Sequence, residues 1–402
     1  MQICFTSSGK QITKKGKCIT QSGDSNTGIF KIFRHLPHEQ FAGARYIRFM
    51  TVDYIIIGQG VCGTFLSWSL MREGKSVLVI DEANPYSSSR VASGVINPVT
   101  GRRIVTVWMA DELFPFCKNI YGQISDTIGA NVIEQKNTIS FANTVQMLEA
   151  YRKRLDENGS YINAVGDKEK YSKWFNVMFD CFEISPTYLI DLQTLIASWR
   201  NQLHLSESLL DEKFVEENLT LHADSVTYKH INASKIIFCN GVKSFETSYW
   251  KNLPYVYNKG QALIADIPDL PPTNIYKFGP LTIVPWQNNL WWIGSSYENE
   301  FETATPTEQF RNSFTASLKN VLKIPFAVVD HIAAIRPAAV ERRPFVGLHP
   351  HKPVLGILNG MGTKGCSLGP YFAKQLTENL LHNTPIDPLA DMKRFNRILK
   401  DV

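Results

Sequence analysis

The stretch Val52-Asp53-Tyr54-Ile55-Ile56-Ile57-Gly58-Gln59-Gly60-Val61-Cys62-Gly63 decides how this chain is read. Its first half places three β-branched residues in a row with almost no polar relief, the pattern of a strand buried on both faces. Its second half is a G-x-G-x-x-G turn. The apolar-rich stretch Thr64 to Arg72 that follows has helical length, and Gly74 stands where a left-handed helix cap is wanted. A second strand, Ser76-Val77-Leu78-Val79-Ile80, closes on Asp81.

Strand, glycine turn, helix, strand and terminal acid together predict a βαβ unit for a dinucleotide. Gly58 permits the tight turn out of the strand. Gly60 lacks a Cβ, so a pyrophosphate can approach the backbone, and Gly63 lets the helix pack close to the sheet. The helix start, at Val61 and Cys62, offers unpaired N–H groups and a partial positive charge to phosphate. Asp81 is expected to accept hydrogen bonds from the adenosine ribose.

Around this unit the chain reads as a soluble protein of two or three domains: 402 residues, 44% hydrophobic and 20% charged. No apolar run approaches the length of a membrane helix. The net charge of +5 invites a nucleic-acid reading, but it is local: residues 1–50 hold eight Lys and Arg against two acids, which leaves the body near −1. Residues 1–49 form a polar leader, expected to be disordered or to lie upstream of a natural start at Met50, and a transit peptide is the alternative. Seven scattered cysteines without a C-x-x-C pair or Cys/His cluster signal neither zinc nor a disulfide framework, and free thiols suit the reducing cytoplasm.

After Asp81 the chain continues through Glu82 into Ser87-Ser88-Ser89-Arg90-Val91-Ala92-Ser93-Gly94-Val95-Ile96-Asn97-Pro98, a loop rich in small residues. Further segments follow in order: Ile236-Ile237-Phe238-Cys239-Asn240-Gly241, Lys259-Gly260-Gln261, Ile283-Val284-Pro285-Trp286 with Ile293-Gly294-Ser295-Ser296-Tyr297-Glu298, Ile335-Arg336-Pro337, and Gly360-Met361-Gly362-Thr363-Lys364-Gly365. Over residues 52–385 this series resembles the D-amino-acid oxidase and glycine oxidase family of flavoenzymes. The resemblance implies an α/β fold: a Rossmann-like FAD-binding domain interleaved with an α+β substrate domain on an antiparallel sheet. It assigns residues 50–102, 181–245 and 327–402 to the first domain and 103–180 and 246–326 to the second. It implies FAD as cofactor and adds Glu82, Ser89, Arg90, Ala92, Ser93, Gly94, Phe214, Asn240, Gly241, Gly362, Thr363, Lys364 and Gly365 to the glycine turn and Asp81 as its binding set.

Two residues are expected to act on the chemistry. Arg336 matches the family's apolar-Arg-Pro motif, whose arginine grips a substrate carboxylate, and a planar fork suits a carboxylate held in one orientation. Its alternative role is structural, pairing with Glu341 or with a loop carbonyl. Lys364, at the start of a helix expected over Leu368 to Leu381, would stabilise negative charge on the reduced flavin with the helix dipole, the alternative being a solvated loop lysine. Arg102 and Arg103 are either pocket residues or a surface pair. Cys366 is either a flavin-linking thiol or a small apolar residue. The family's active-site tyrosine has no clear counterpart, with Tyr255 and Tyr257 as the candidates.

The reading is an FAD-dependent oxidoreductase that oxidises the C–N bond of a small amino acid or secondary amine by hydride transfer to flavin N5. Gly360 to Phe372 also resembles the flavin domain of the bacterial enzyme that removes a carboxymethyl group from a tRNA wobble uridine. A near-neutral body gives such a substrate little to bind. A flavin-binding regulator without turnover and an NAD-dependent dehydrogenase are the remaining alternatives.

Overall fold

The computed structural model describes residues 50–101, 103–157 and 159–400. The leader 1–49 and the candidate Arg102 lie outside these residues. The quoted stretch forms the strand Met50–Ile57, and Ile55, Ile56 and Ile57 are at most 1% exposed, as a continuous apolar run requires of a central strand. Its parallel neighbours are Val77–Ile80 on one side and Ile231–Phe238 on the other. Leu209–Leu210 extends the parallel sheet beyond Val77–Ile80, and Leu355–Asn359 extends it beyond Ile231–Phe238. The helix Val61–Arg72 is the first crossover and ends where Gly74 takes φ +74°.

Alternation along the central strand divides the core. Tyr54 and Ile56 pack with four helices, Val61–Arg72, Ala110–Ile128, Leu192–Leu205 and Gly365–His382, through Phe65, Tyr121, Leu195 and Phe372. Ile55 and Ile57 face Phe238, Trp250, Phe345 and Phe395 on the opposite side. A second sheet of eight strands stands apart from the first. Its order runs from Ala327–Ala339 through Tyr255–Asp266, Trp291–Gly294, Leu281–Pro285 and Ile275–Phe278 to Thr138–Phe141, Cys181–Ile184 and Ile162–Ala164. All its pairings are antiparallel except the one between Ile275–Phe278 and Thr138–Phe141. Among the described residues no helix is long and apolar enough to cross a membrane.

Pairing distributes several segments differently from the expected interleaving. Cys181–Ile184 and Ala327–Ala339, expected in the first domain, are hydrogen-bonded into the second sheet. The helix Ala110–Ile128, expected in the second domain, joins the helical layer of the first through Leu113, Phe114, Cys117 and Tyr121. Motif spacing places a segment along the chain, but strand pairing and an amphipathic face decide which core it enters. The C-terminal helix also starts earlier than expected, at Gly365, and carries Pro370 inside it.

Candidate active site

Close backbone contacts account for the glycine turn. Gly58 takes φ +94°, and a Cβ there would lie 2.6 Å from the Cα of Asn240. A Cβ on Gly63 would lie 1.8 Å from the carbonyl oxygen of Gly58, so only glycine lets the helix start this close to the strand. At Gly60 a Cβ would meet only the Ser89 side chain, with Oγ at 2.8 Å, and this Oγ accepts a hydrogen bond from Val61 N at 3.1 Å. The helix Val61–Arg72 opens at Gly60 with no side-chain cap. Its first N–H groups therefore point into a cleft of about 910 Å³.

Gly58, Gly60, Val61, Cys62, Asp81, Glu82, Ser89 and Arg90 line this cleft, together with Phe214, Asn240, Gly241, Gly362 and Gly365 from distant parts of the chain. Phe214 stacks on Tyr228 at 5.3 Å. Gly63, Ala92, Ser93, Gly94, Thr363, Lys364 and Arg336 are not on the cleft wall. Gly94 has φ +80° and a Cβ there would sit 2.0 Å from the carbonyl oxygen of Ile190, so its role is to let the loop cross the strand Tyr188–Ile190. Thr363 is exposed, as is Arg103.

Asp81 organises the turn. Its Oδ2 accepts from Gln59 N at 2.8 Å, and its Oδ1 accepts from Ala83 N at 2.9 Å and from Arg200 Nη1 at 2.8 Å. Arg90 reaches the same oxygen at 3.4 Å. Arg200, on the helix Leu192–Leu205, also binds the Asp81 carbonyl and the Asp211 carboxylate. Sequence reading missed Arg200 because its partner lies 119 residues away.

The second sheet presents one face to the loop after Asp81. Trp292 Nε1 donates to Val91 O at 3.1 Å, and Ala262, Ile264, Ile275, Val284 and Trp292 pack with Val95 and Leu189. Arg336 is on this face, opposite Asn258 in the register. Its Nη1 donates to Asn258 Oδ1 at 2.5 Å and to Ser296 O at 3.2 Å, and its Nη2 donates to Ser295 Oγ at 3.0 Å. Every partner is neutral. Of the two alternative partners, Glu341 pairs instead with Arg394 at 2.9 Å, whereas a loop carbonyl, Ser296 O, is one of the acceptors. Burial pulls the Arg336 pKa below its ordinary value, with Tyr297 and Glu298 opposing.

The K-G-Q motif accounts for how Arg336 is held. A Cβ on Gly260 would lie 1.9 Å from Arg336 Nη2, so the guanidinium occupies the space that glycine leaves. Lys259 and Gln261 point to the other face, where Gln261 Nε2 donates to Glu298 Oε1 at 2.8 Å and Lys259 Nζ is 3.9 Å from Glu298 Oε2. Gln261 Oε1 accepts from Thr307 N at 2.7 Å. Both ends of the loop that carries Ser295 and Ser296 are thus tied to this strand.

Lys364 Nζ lies 3.5 Å from Asn97 O. Its pKa is brought down to about 8, by burial first and then by the charge of Lys277, with Cys366 opposing. It is not a solvated loop lysine. Cys366 is pushed up to about 12 by burial, which outweighs Lys364, and so stays a neutral thiol. Cys62 is likewise pushed up to about 12 by burial and then by Cys366. Tyr255 stacks on Phe245 at 4.2 Å and packs with Tyr257 against the first domain's core. Tyr297, next to the two serines that hold Arg336, is 60% exposed. Among the described residues no cluster of His, Cys, Asp and Glu could hold a metal.

A sequence profile for FAD-dependent oxidoreductases matches residues 203–379. An uncharacterised oxidoreductase of Bacillus subtilis, YurR, is 21% identical over 84% of this chain and 98% of its own. Similar solved structures include iminodiacetate oxidase from Chelativorans sp. BNC1 (TM-score 0.70, 18% identity, 84% of this chain and 98% of that one). Glycine oxidase from Geobacillus kaustophilus (0.66, 15%, 85% and 98%) and L-amino acid deaminase from Proteus vulgaris (0.71, 14%, 89% and 99%) are similar in the same way. At these identities the structures share the fold, a parallel Rossmann-like sheet beside a mostly antiparallel one.

Proposed function

We propose, from a chain that belongs to the FAD-dependent oxidoreductase family, that this protein oxidises the C–N bond of a small amino acid or N-substituted amino acid. The observation that carries the reading is Arg336, a half-buried guanidinium held in place by three neutral acceptors and, among the described residues, paired with no carboxylate. A buried cation without an anion is costly, and a substrate carboxylate would remove that cost.

The cleft suits FAD. The N–H groups around Gly60–Cys62, with Val61 exchanging Ser89 Oγ for phosphate, would hold the pyrophosphate, and Asp81 and Phe214 would flank the adenosine. Gly362 and the helix start at Gly365 would meet the flavin, with Lys364 near its polar edge. FAD supplies the acceptor for the hydride that leaves the carbon next to nitrogen.

The chain's own residues orient the donor and keep it dry. Arg336 fixes the carboxylate, and through it the angle of the neighbouring C–H bond. The apolar face around Trp292, Ile264 and Ile332 excludes water. Three cations near the pocket, Arg336, Lys364 and Lys277, disfavour a protonated amine, so the substrate binds as the neutral amine that can give up hydride. Oxidation then needs no further catalytic base.

The test is anaerobic bleaching of the FAD-loaded protein by glycine, N-methylglycine, D- and L-amino acids, proline and carboxymethylated nucleosides, each beside its decarboxylated analogue. A carboxylate-free amine that bleaches as fast as its parent amino acid would overturn the role of Arg336. Bleaching by the nucleosides alone would favour the tRNA reading.

A further inference from the structure

In the scheme above Lys277 contributes only its charge and holds no ligand. It lies in the middle of the strand Ile275–Phe278, with Ile275 two residues away in the inner apolar layer, so its side chain is on the same face as Arg336. Its Nζ is 3.5 Å from Thr282 Oγ1, and among the described residues it makes no ion pair. Burial holds its pKa below 10.5. Its charge acts directly on Lys364, whose ammonium stands at Asn97, just past the segment that packs on that same face. Both lysines keep some accessible surface while protein encloses them deeply. Two ammonium groups brought together in a low-dielectric space repel each other, and each is costly alone.

The charges do not balance with a simple amino acid. Arg336, Lys277 and Lys364 present three cations, and Glu298, the acid that acts on Arg336, is committed to Gln261 and Lys259. One substrate carboxylate answers Arg336. Among the described residues the two lysines, which face only the neutral oxygens of Thr282 and Asn97, still lack an anion.

We propose that Lys277, together with Lys364, forms a second anion-holding subsite on the inner sheet face, so that the preferred substrate is an amine bearing two carboxylates. This rests on the oxidoreductase reading: Arg336 takes the carboxylate next to the reacting carbon, and the lysine pair takes the carboxylate on the other arm of the amine. Lys277 is then a specificity-determining residue that selects dicarboxylic over monocarboxylic amines.

The experiment titrates the FAD-loaded protein, without oxygen, and reads binding from the flavin difference spectrum and from calorimetry. The ligands are iminodiacetate, N-carboxymethyl-β-alanine and N-carboxymethyl-4-aminobutyrate, each beside the N-alkylglycine of the same length. The wild type is expected to bind at least one diacid roughly tenfold or more tighter than its neutral partner. Lys277→Met is expected to bring that ratio close to one, and Lys277→Arg to keep it. Lys277→Gln is a second neutral variant should Lys277→Met fail to fold. Equal binding of diacid and neutral partner by the wild type, or a preference that survives in Lys277→Met or Lys277→Gln, overturns the subsite and leaves the oxidoreductase reading standing. If no amino acid in the series perturbs the flavin, the oxidoreductase reading itself fails and the subsite falls with it.

Discussion

The hydroxyl of Tyr121 donates a hydrogen bond of 2.8 Å to the carbonyl of Cys366. That carbonyl is the acceptor that Pro370, four residues on and inside the helix Gly365–His382, cannot satisfy, because proline has no N–H. A side chain from the helix Ala110–Ile128 thus completes the first turn of the helix Gly365–His382. Tyr121→Phe would leave the carbonyl unpaired in the core and is expected to cost about 1–3 kcal/mol in denaturant unfolding. Adding Pro370→Ala supplies an N–H and should recover part of the loss, so a purely additive double variant would contradict this account.

The glycines of the first turn should separate folding from cofactor binding. Gly63→Ala drives a Cβ into the carbonyl oxygen of Gly58. It is expected to destabilise the protein by about 1–3 kcal/mol or more, as overpacking does. Gly60→Val meets only the Ser89 side chain, which can turn away, so the protein should fold yet fail to retain FAD. Thermal melting beside flavin absorbance distinguishes the two, and normal flavin retention by Gly60→Val would count against the pyrophosphate site.

Arg336→Ala is expected to lose about 2–5 kcal/mol of substrate binding, roughly thirty- to several-thousand-fold in kcat/KM, with FAD retained. Arg336→Lys should lose much of the same, because an ammonium cannot hold both oxygens in plane. Gly260→Ala should mimic the loss without touching the arginine, since its methyl displaces the guanidinium, and a displacement of about 1 Å can cost about a hundredfold. Flavin loss in Arg336→Ala would make the arginine structural instead.

His349 predicts an acid-side loss of stability. It is 1% exposed, and its Nδ1 accepts from the backbone N–H groups of His351 at 3.2 Å and Lys352 at 3.1 Å. Burial lowers its pKa to about 4, with Lys352 and His351 adding to the effect. The unfolded chain therefore binds more protons between pH 6.5 and 4. The contribution is fully present above pH 6.5 and is lost as pH falls through about 4, at most roughly 3 kcal/mol. His349→Asn should flatten the pH profile of urea unfolding over this window, and an unchanged slope would rule His349 out as its source.

Some features were legible in the residue order because they are local. The run Tyr54-Ile55-Ile56-Ile57, the glycines at 58, 60 and 63 and the acid at 81 specify a βαβ unit through backbone sterics and period alone, and the coordinates add only the contacts that make each glycine necessary. The motifs Lys259-Gly260-Gln261, Ser295-Ser296-Tyr297-Glu298 and Ile335-Arg336-Pro337 could also be seen, but not why they occur together. Only the pairing of Tyr255–Asp266 with Ala327–Ala339 lays the Arg336 guanidinium over Gly260, and only its pairing on the other side with Trp291–Gly294 brings Glu298 to Gln261. Arg200 and Lys277 were invisible for the same reason. A charge at one position has no partner until the chain closes loops of a hundred residues or more. Whether Lys277 faces solvent or the core depends on strand register, which the sheet as a whole determines. Tertiary pairing, and not composition or spacing, decided which cations were left buried without an anion.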